Sequence, residues 1–275
     1  MDSSNDLDVA SRSQSTHVKK ETMKELLDFS GKCIVVTGAS SGIGRACAIA
    51  FAQNGAKVSA VARSKDRLKS VIDEMSRFGP GHVSIATDLA EEDSASTVVS
   101  QTVDGLGGID VVVNCAASIH REQKDLDTTD KSTWDHLMRT NVRSYYLLSM
   151  KAFPHLALHS GNVVNISSIW AFRGAKKQVA YSVSKASILE LTRSMALDFA
   201  ESHVRVNCVC PATVNTPLLM KGRTEFDADA VAKLHPLGRI GEPVDIANSV
   251  LFLASPAASW ITGVGLPVDG GYCAK

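Results

Sequence analysis

From residue 32 to the C-terminus, short apolar runs alternate with longer stretches of helical periodicity. The runs 33–37, 57–62, 82–87, 109–114, 161–167 and 205–210 are dominated by Val, Ile, Ala and Cys. Near-continuous apolar segments of this length read as strands buried on both faces. Between and after them, residues 44–54, 65–77, 93–104, 133–155, 183–200 and 244–253 read as helices, and 265–268 as a last short strand. Such alternation implies βαβ units and a parallel sheet, with crossovers that place helices on both faces. The pattern predicts one doubly wound α/β domain over residues 29–275, with a seven-stranded, Rossmann-like parallel sheet. Residues 1–28 are polar and rich in Ser and Asp, which predicts a flexible tail and argues against a secretory signal.

Composition narrows the range of partners. Lys plus Arg (29) balance Asp plus Glu (29), and apolar residues make up 44% of the chain. Without a basic surplus, neither nucleic acid nor a membrane surface is an expected partner, and a small molecule is favoured. No run approaches the length of a membrane-spanning helix. Of the six cysteines, Cys33, Cys208 and Cys210 sit inside apolar runs, where a thiol serves as a small core residue. Cys208 and Cys210 have no second pair nearby, so a metal site is not expected. This cysteine usage predicts a reducing, cytoplasmic location.

The first predicted strand runs into Thr37-Gly38-Ala39-Ser40-Ser41-Gly42-Ile43-Gly44, and a helix follows at once. Glycines here let the backbone turn sharply and approach a ligand closely, while the helix start offers unpaired N–H groups to a pyrophosphate. The spacing Gly-x-x-x-Gly-x-Gly resembles the coenzyme turn of the short-chain dehydrogenase/reductase family. The likeness continues in order along all but about the first thirty residues. Asp88-Leu89 resembles the family's adenine contact, and Asn114-Cys115-Ala116-Ala117 its Asn-Asn-Ala-Gly turn. Pro211-Ala212-Thr213-Val214 through Thr216 resembles its Pro-Gly segment along the nicotinamide, and Val268-Asp269-Gly270-Gly271 its C-terminal strand and turn. Cys115, Ala117 and Ala212 depart from that pattern, each adding side-chain bulk near the coenzyme without removing a reactive group.

Tyr181 and Lys185 share one face at the start of a helix, where a nearby ammonium favours the phenolate. A tyrosine so tuned can exchange a proton with a carbonyl or alcohol oxygen. Ser168 follows the fifth strand, and strand ends of this kind face the ligand crevice; Ser167 points the other way and reads as structural. Asn141 lies inside a predicted helix, against its propensity. The resemblance implies that Asn141, Ser168, Tyr181 and Lys185 form a catalytic tetrad. In it Asn141 kinks its helix and holds a water, and Lys185 also bonds the nicotinamide ribose. The implied activity interconverts a carbonyl and a secondary alcohol by hydride transfer; a non-catalytic coenzyme sensor on the same fold is the alternative.

The second strand ends at Ala62 and is followed by Arg63 and Ser64. An acid at the strand end would accept the ribose hydroxyls of NAD; alanine repels nothing, and a guanidinium can clasp a 2′-phosphate. The expected coenzyme is therefore NADP(H), held by Gly38, Ser40, Ser41, Gly42, Ile43, Gly44, Arg63, Ser64, Asp88, Leu89, Asn114, Ala116, Tyr181, Lys185, Pro211, Thr213, Val214 and Thr216. Substrate contacts are expected from Ser118, His120, Ser168, Trp170 and Tyr181, although His120 reads equally as a solvated loop residue. Residues 216–237 read as a flap. Arg173, Lys176 and Lys177 form a basic group that is either solvated surface or an attractor of acidic substrates. Surplus apolar residues on the helices 133–155 and 183–200, together with the family habit of pairing such helices, predict a homotetramer.

Overall fold

The computed structural model describes residues 22–119, 130–220 and 226–275. Seven strands, β1 (Cys33–Thr37), β2 (Lys57–Ala62), β3 (Val83–Ala86), β4 (Val111–Asn114), β5 (Asn162–Ile166), β6 (Arg205–Pro211) and β7 (Gly265–Val268), form one sheet in the order β3-β2-β1-β4-β5-β6-β7. Every pairing is parallel. The order reverses between β1 and β4, which opens a crevice at the carboxyl ends of the strands.

Alternation along each strand divides the core in two. Ile34, Val36, Val111, Val113, Val164 and Ile166 face one way, against α1 (Met23–Leu26)-proximal Leu27, α2 (Gly42–Gln53) and α3 (Lys65–Met75). Val35, Val112 and Val163 face the other, against α4 (Ser94–Leu106) and two long helices described next. This two-faced burial is why the strands read as unbroken apolar runs rather than alternating ones. Observed ends lie within about two residues of the expected ones for most elements, which is the ordinary scatter of helix and strand ends.

Two helices differ in ways that matter. The expected single helix 133–155 is three segments: α5 (Lys131–Met138), a π-helical turn (Arg139–Arg143) and α6 (Ser144–Leu158). The wider turn admits Asn141, which is fully buried, and the helix resumes with Ser144 N–H bonded to the carbonyl of Arg139. The expected helix 183–200 begins earlier, as α7 (Val179–Asp198), so Tyr181 lies in its first turn.

The chain then continues through α8 (Pro217–Met220), α9 (Ala228–Ala232) and α10 (Pro243–Ala254). The last packs on the α2 side of the sheet. Of the expected tail, residues 1–21 lie outside the described residues, while Leu27 packs against the core. Among the described residues no helix is long and apolar enough to cross a membrane.

Candidate active site

A crevice of about 900 Å³ runs along the carboxyl ends of the strands. Its floor is the β1–α2 turn. Gly38 takes φ +67°, and a Cβ there would stand 3.0 Å from the backbone of Ala116. A Cβ on Gly44 would meet the carbonyl oxygen of Gly38 at 2.4 Å, closer than any real Cβ contact. The turn is therefore compact because two side chains are absent. Thr37 locks it to the turn after β4: its hydroxyl accepts from the N–H groups of Cys115 (2.9 Å) and Ala116 (3.1 Å) and donates to Val113 O (3.3 Å). Thr37 had no signal of its own in the sequence, because its partners lie some eighty residues away.

Gly38, Ser40, Ser41, Gly42, Ile43 and Gly44 line one end of the crevice, together with Arg63, Asp88, Leu89 and Ala116. Pro211, Ala212, Thr213, Val214 and Thr216 line it from β6 onward. These are the residues expected there. A glycine-built cradle at the start of α2 fits the pyrophosphate of a dinucleotide.

Arg67 also lines this end, one helical turn past Arg63, and supplies a second cation that the sequence did not reveal. Arg63 Nη1 lies 3.8 Å from the Asp88 carboxylate, which also accepts from Ala90 N–H. Both side chains are largely exposed, so this pair holds Arg63 only loosely.

Two residues expected to hold the coenzyme are not on the crevice wall. Asn114 does not line the crevice: its side chain is buried behind it, donating to Ser149 Oγ (3.0 Å) and Asn165 Oδ1 (2.9 Å). Ser64 caps α3 by accepting from Arg67 N–H and is absent from the wall. His120 lies outside the described residues, as do residues 221–225 of the expected flap.

Ser168, Tyr181 and Lys185 share the central wall. Ser168 caps the 3-10 turn Ile169–Ala171, accepting from Trp170 N–H, which fixes its hydroxyl at the mouth of β5. Neighbouring Ser167 turns inward and donates to Lys185 O at 2.6 Å, the structural role expected of it. Asn141 is a positioning residue. Its Oδ1 accepts from Ser118 N–H (2.8 Å), and its Nδ2 donates to Ser118 O (2.9 Å) and Ser184 Oγ (3.1 Å). The carboxamide thus pins the loop after β4 to α7, and both of its donor hydrogens are committed.

Ser118 lines the crevice, with His136 Nε2 3.2 Å from its hydroxyl. Trp170 lines it too, joined by Gln178, Val231, Leu234 and Tyr272. Tyr272 comes from the C-terminal turn, too remote in sequence from Trp170 for any local pattern to connect them.

Lys185 is almost fully buried, with Nζ donating to Ile166 O at 2.9 Å. Its Nζ stands 5.6 Å from the Tyr145 ring centroid and 5.8 Å from that of Tyr181. Desolvation lowers its pKa from 10.5 to about 8, and the thiols of Cys115, Cys208 and Cys210 pull the other way. Folded protein thus binds this proton less tightly than unfolded protein, and between pH 8 and 10.5 stability rises with pH as the penalty is relieved.

At pH 7 the shift corresponds to a cost on the order of 3 kcal/mol. Lys185→Met should remove that cost and forfeit about 1 kcal/mol of hydrogen bonding, while the Tyr145 hydroxyl stays on Ile166 O. Urea denaturation of the ligand-free protein should find the variant more stable by about 2 kcal/mol at pH 7, an advantage that shrinks as pH rises past 8. A variant less stable at pH 7, or a difference independent of pH, contradicts this account.

The sequence profile described as enoyl-(acyl carrier protein) reductase matches residues 38–273. A 3-oxoacyl-[acyl-carrier-protein] reductase of Thermotoga maritima is 35% identical over 243 residues, covering 88% of this chain and 97% of that one. A 7α-hydroxysteroid dehydrogenase of Clostridium sardiniense is 34% identical, covering 88% and 93%. The structure of a 3-ketoacyl-(acyl-carrier-protein) reductase from Brucella melitensis, solved with NADH, superposes with a TM-score of 0.82 at 30% identity, covering 89% of this chain and 99% of that one. Matched along nearly its whole folded length by sequence and by structure, the chain belongs to the short-chain dehydrogenase/reductase family.

Proposed function

We propose that the protein is an NADP(H)-dependent oxidoreductase that interconverts a carbonyl and a secondary alcohol, with Tyr181 as general acid and base. The observation that carries this reading is the continuity of one crevice from the glycine cradle and Arg63 to Ser168, Tyr181 and Lys185. When bound, the coenzyme supplies or accepts the hydride. In the reducing direction Tyr181 gives its phenolic proton to the carbonyl oxygen. Ser168 donates a hydrogen bond to the same oxygen, stabilising charge as it develops. Lys185 lies under the Tyr181 ring and favours its ionised form whenever the ammonium is charged. Asn141 holds Ser118 and α7 in register around them.

Tyr181→Phe should abolish turnover while leaving NADPH binding, followed by its fluorescence, nearly intact. A variant keeping a tenth of the wild-type kcat removes Tyr181 from the mechanism. Ser168→Ala should lose about two orders of magnitude or more in kcat. Steady-state oxidation of NADPH against aldehydes, ketones, diketones and keto acids is the assay for both.

The preference for NADP(H) over NAD(H) is supported by Ala62, which places no carboxylate at the end of β2, and by the cations Arg63 and Arg67 beside it. Arg63→Leu should raise KM for NADPH strongly and change that for NADH little. Ala62→Asp should go further and favour NADH, by repelling the phosphate and accepting the ribose hydroxyls. A higher kcat/KM with NADH in the wild-type enzyme defeats this assignment.

The same reading takes the enzyme to be cytoplasmic and a homotetramer. Support for assembly comes from α6 and α7, which expose Tyr146, Met150, Leu158, Val183 and Leu197, with Leu197 78% exposed. Apolar surface of this kind on adjacent long helices asks for a partner. Light scattering at micromolar concentration should report four copies, and a monomer counts against it.

A further inference from the structure

Two cations at the substrate end of the crevice have no part in the reaction just described. Arg173 and Lys176 line the wall between Trp170 and Gln178, close in sequence to Tyr181. Arg173 is held in place: its Nη1 donates to Tyr272 O at 3.3 Å, and its guanidinium carbon lies 5.5 Å from the Tyr272 ring centroid. That ring is fixed in turn by Trp170, edge-on at 6.1 Å, and by His235 at 5.3 Å. A carbonyl and an aromatic face orient a guanidinium without neutralising it. Among the described residues neither Arg173 nor Lys176 forms an ion pair.

The opposite end of the crevice is balanced differently, since Arg63 faces Asp88 there. Asp88 is the only carboxylate among the described lining residues. Ile119, Leu218, Leu219 and Leu234 give the walls apolar surface, beside the neutral polar side chains of Ser118 and Gln178. A partly apolar slot that carries an oriented guanidinium and a second cation, neither neutralised, suits a ligand with an apolar body and a negative charge.

Building on the oxidoreductase reading above, we propose that the carbonyl substrate is an anion, with a carboxylate or phosphate received by Arg173 and Lys176. The carbonyl then meets Ser168 and Tyr181, and the linking carbons lie against the leucines. The anionic group takes no part in the bond changes. Hydride passes from the coenzyme to the carbonyl carbon, and the Tyr181 proton passes to the oxygen. Charge at the mouth of the crevice raises the local concentration of an anionic substrate as well as binding it.

The test compares keto carboxylates of increasing chain length with their methyl esters, and adds a phosphorylated hydroxyketone to distinguish phosphate from carboxylate. The best anion should exceed its neutral counterpart in kcat/KM by about 10- to 100-fold, the value of a charge-assisted hydrogen bond. Arg173→Gln should cut that preference at least tenfold through KM, and Arg173→Lys should restore part of it. Lys176→Gln should cut it less, and added salt should weaken it in the wild type. Equal turnover of acid and ester by the wild type overturns the inference and leaves the oxidoreductase reading standing. So does a loss in Arg173→Gln that is the same for both. Failure of every carbonyl compound, charged or neutral, with either coenzyme overturns the two together.

Discussion

Burying the Lys185 ammonium is the constraint from which the arrangement of the active site follows. The side chain passes under the Tyr181 ring and ends on the carbonyl of Ile166, and no carboxylate compensates it. An uncompensated buried charge is expensive, and the protein meets the cost by loosening the proton, so that this lysine titrates near pH 8 instead of above 10. That outcome suits the acid–base role proposed for Tyr181, because a proton held loosely is one that can be moved near neutral pH. It also fixes the backbone. The carbonyl of Ile166 must stay at the end of β5, and α7 must keep its register, or the ammonium loses this hydrogen-bond acceptor.

The register is kept by polar groups where apolar packing alone would be indifferent to a slide. Ser167 donates to the carbonyl of Lys185 itself. Two turns farther along α7, Thr192 accepts from Asn165 Nδ2 at 3.0 Å, and Asn165 in turn accepts from Asn114. This chain ties β4, β5 and α7 together beneath the crevice. At the other end of the site, Asn141 ties α7 to the loop carrying Ser118. Buried hydrogen bonds of this sort are costly when broken, which makes the arrangement specific as well as stable. Asn114, which resembles a coenzyme contact by its place in the chain, is a member of this scaffold and acts on the site through it.

What could be read from the sequence divides along the same line. The seven strands, their two-faced burial and the glycine turn are local patterns, each written within a dozen residues, and the structure places them where the pattern does. The grouping of the candidate reactive residues was legible for a similar reason, since Tyr181 and Lys185 are one helical turn apart and Ser168 lies just past the end of β5. The form of the helix carrying Asn141 was legible only in part: the resemblance implies a kink there, but the helical period is uninterrupted, and the π-helical turn coincides with three buried hydrogen bonds to partners distant in sequence. Thr37, Arg67 and Tyr272 were invisible because each acquires its meaning from a partner brought near by the fold. Ser64 has a second use that its place in the chain also allows, as the cap of α3.

Catalysis and recognition are thereby carried by parts of different stiffness. Ser168, Tyr181 and Lys185 stand on the edge of β5 and the first turns of α7, braced by the buried network, where a displacement would break several hydrogen bonds at once. Arg173, Lys176 and Tyr272 stand on a loop and a C-terminal turn, with Arg173 and Tyr272 joined by a ring contact and one long hydrogen bond. Changes in those loops can alter which molecule is admitted without disturbing the proton held at Tyr181. Relatives whose names point to acyl-carrier-protein thioesters and to steroids share this sheet at about one-third identity. Such a division fits the proposal that side chains at the rim select the substrate, while a common sheet carries the proton-transfer groups.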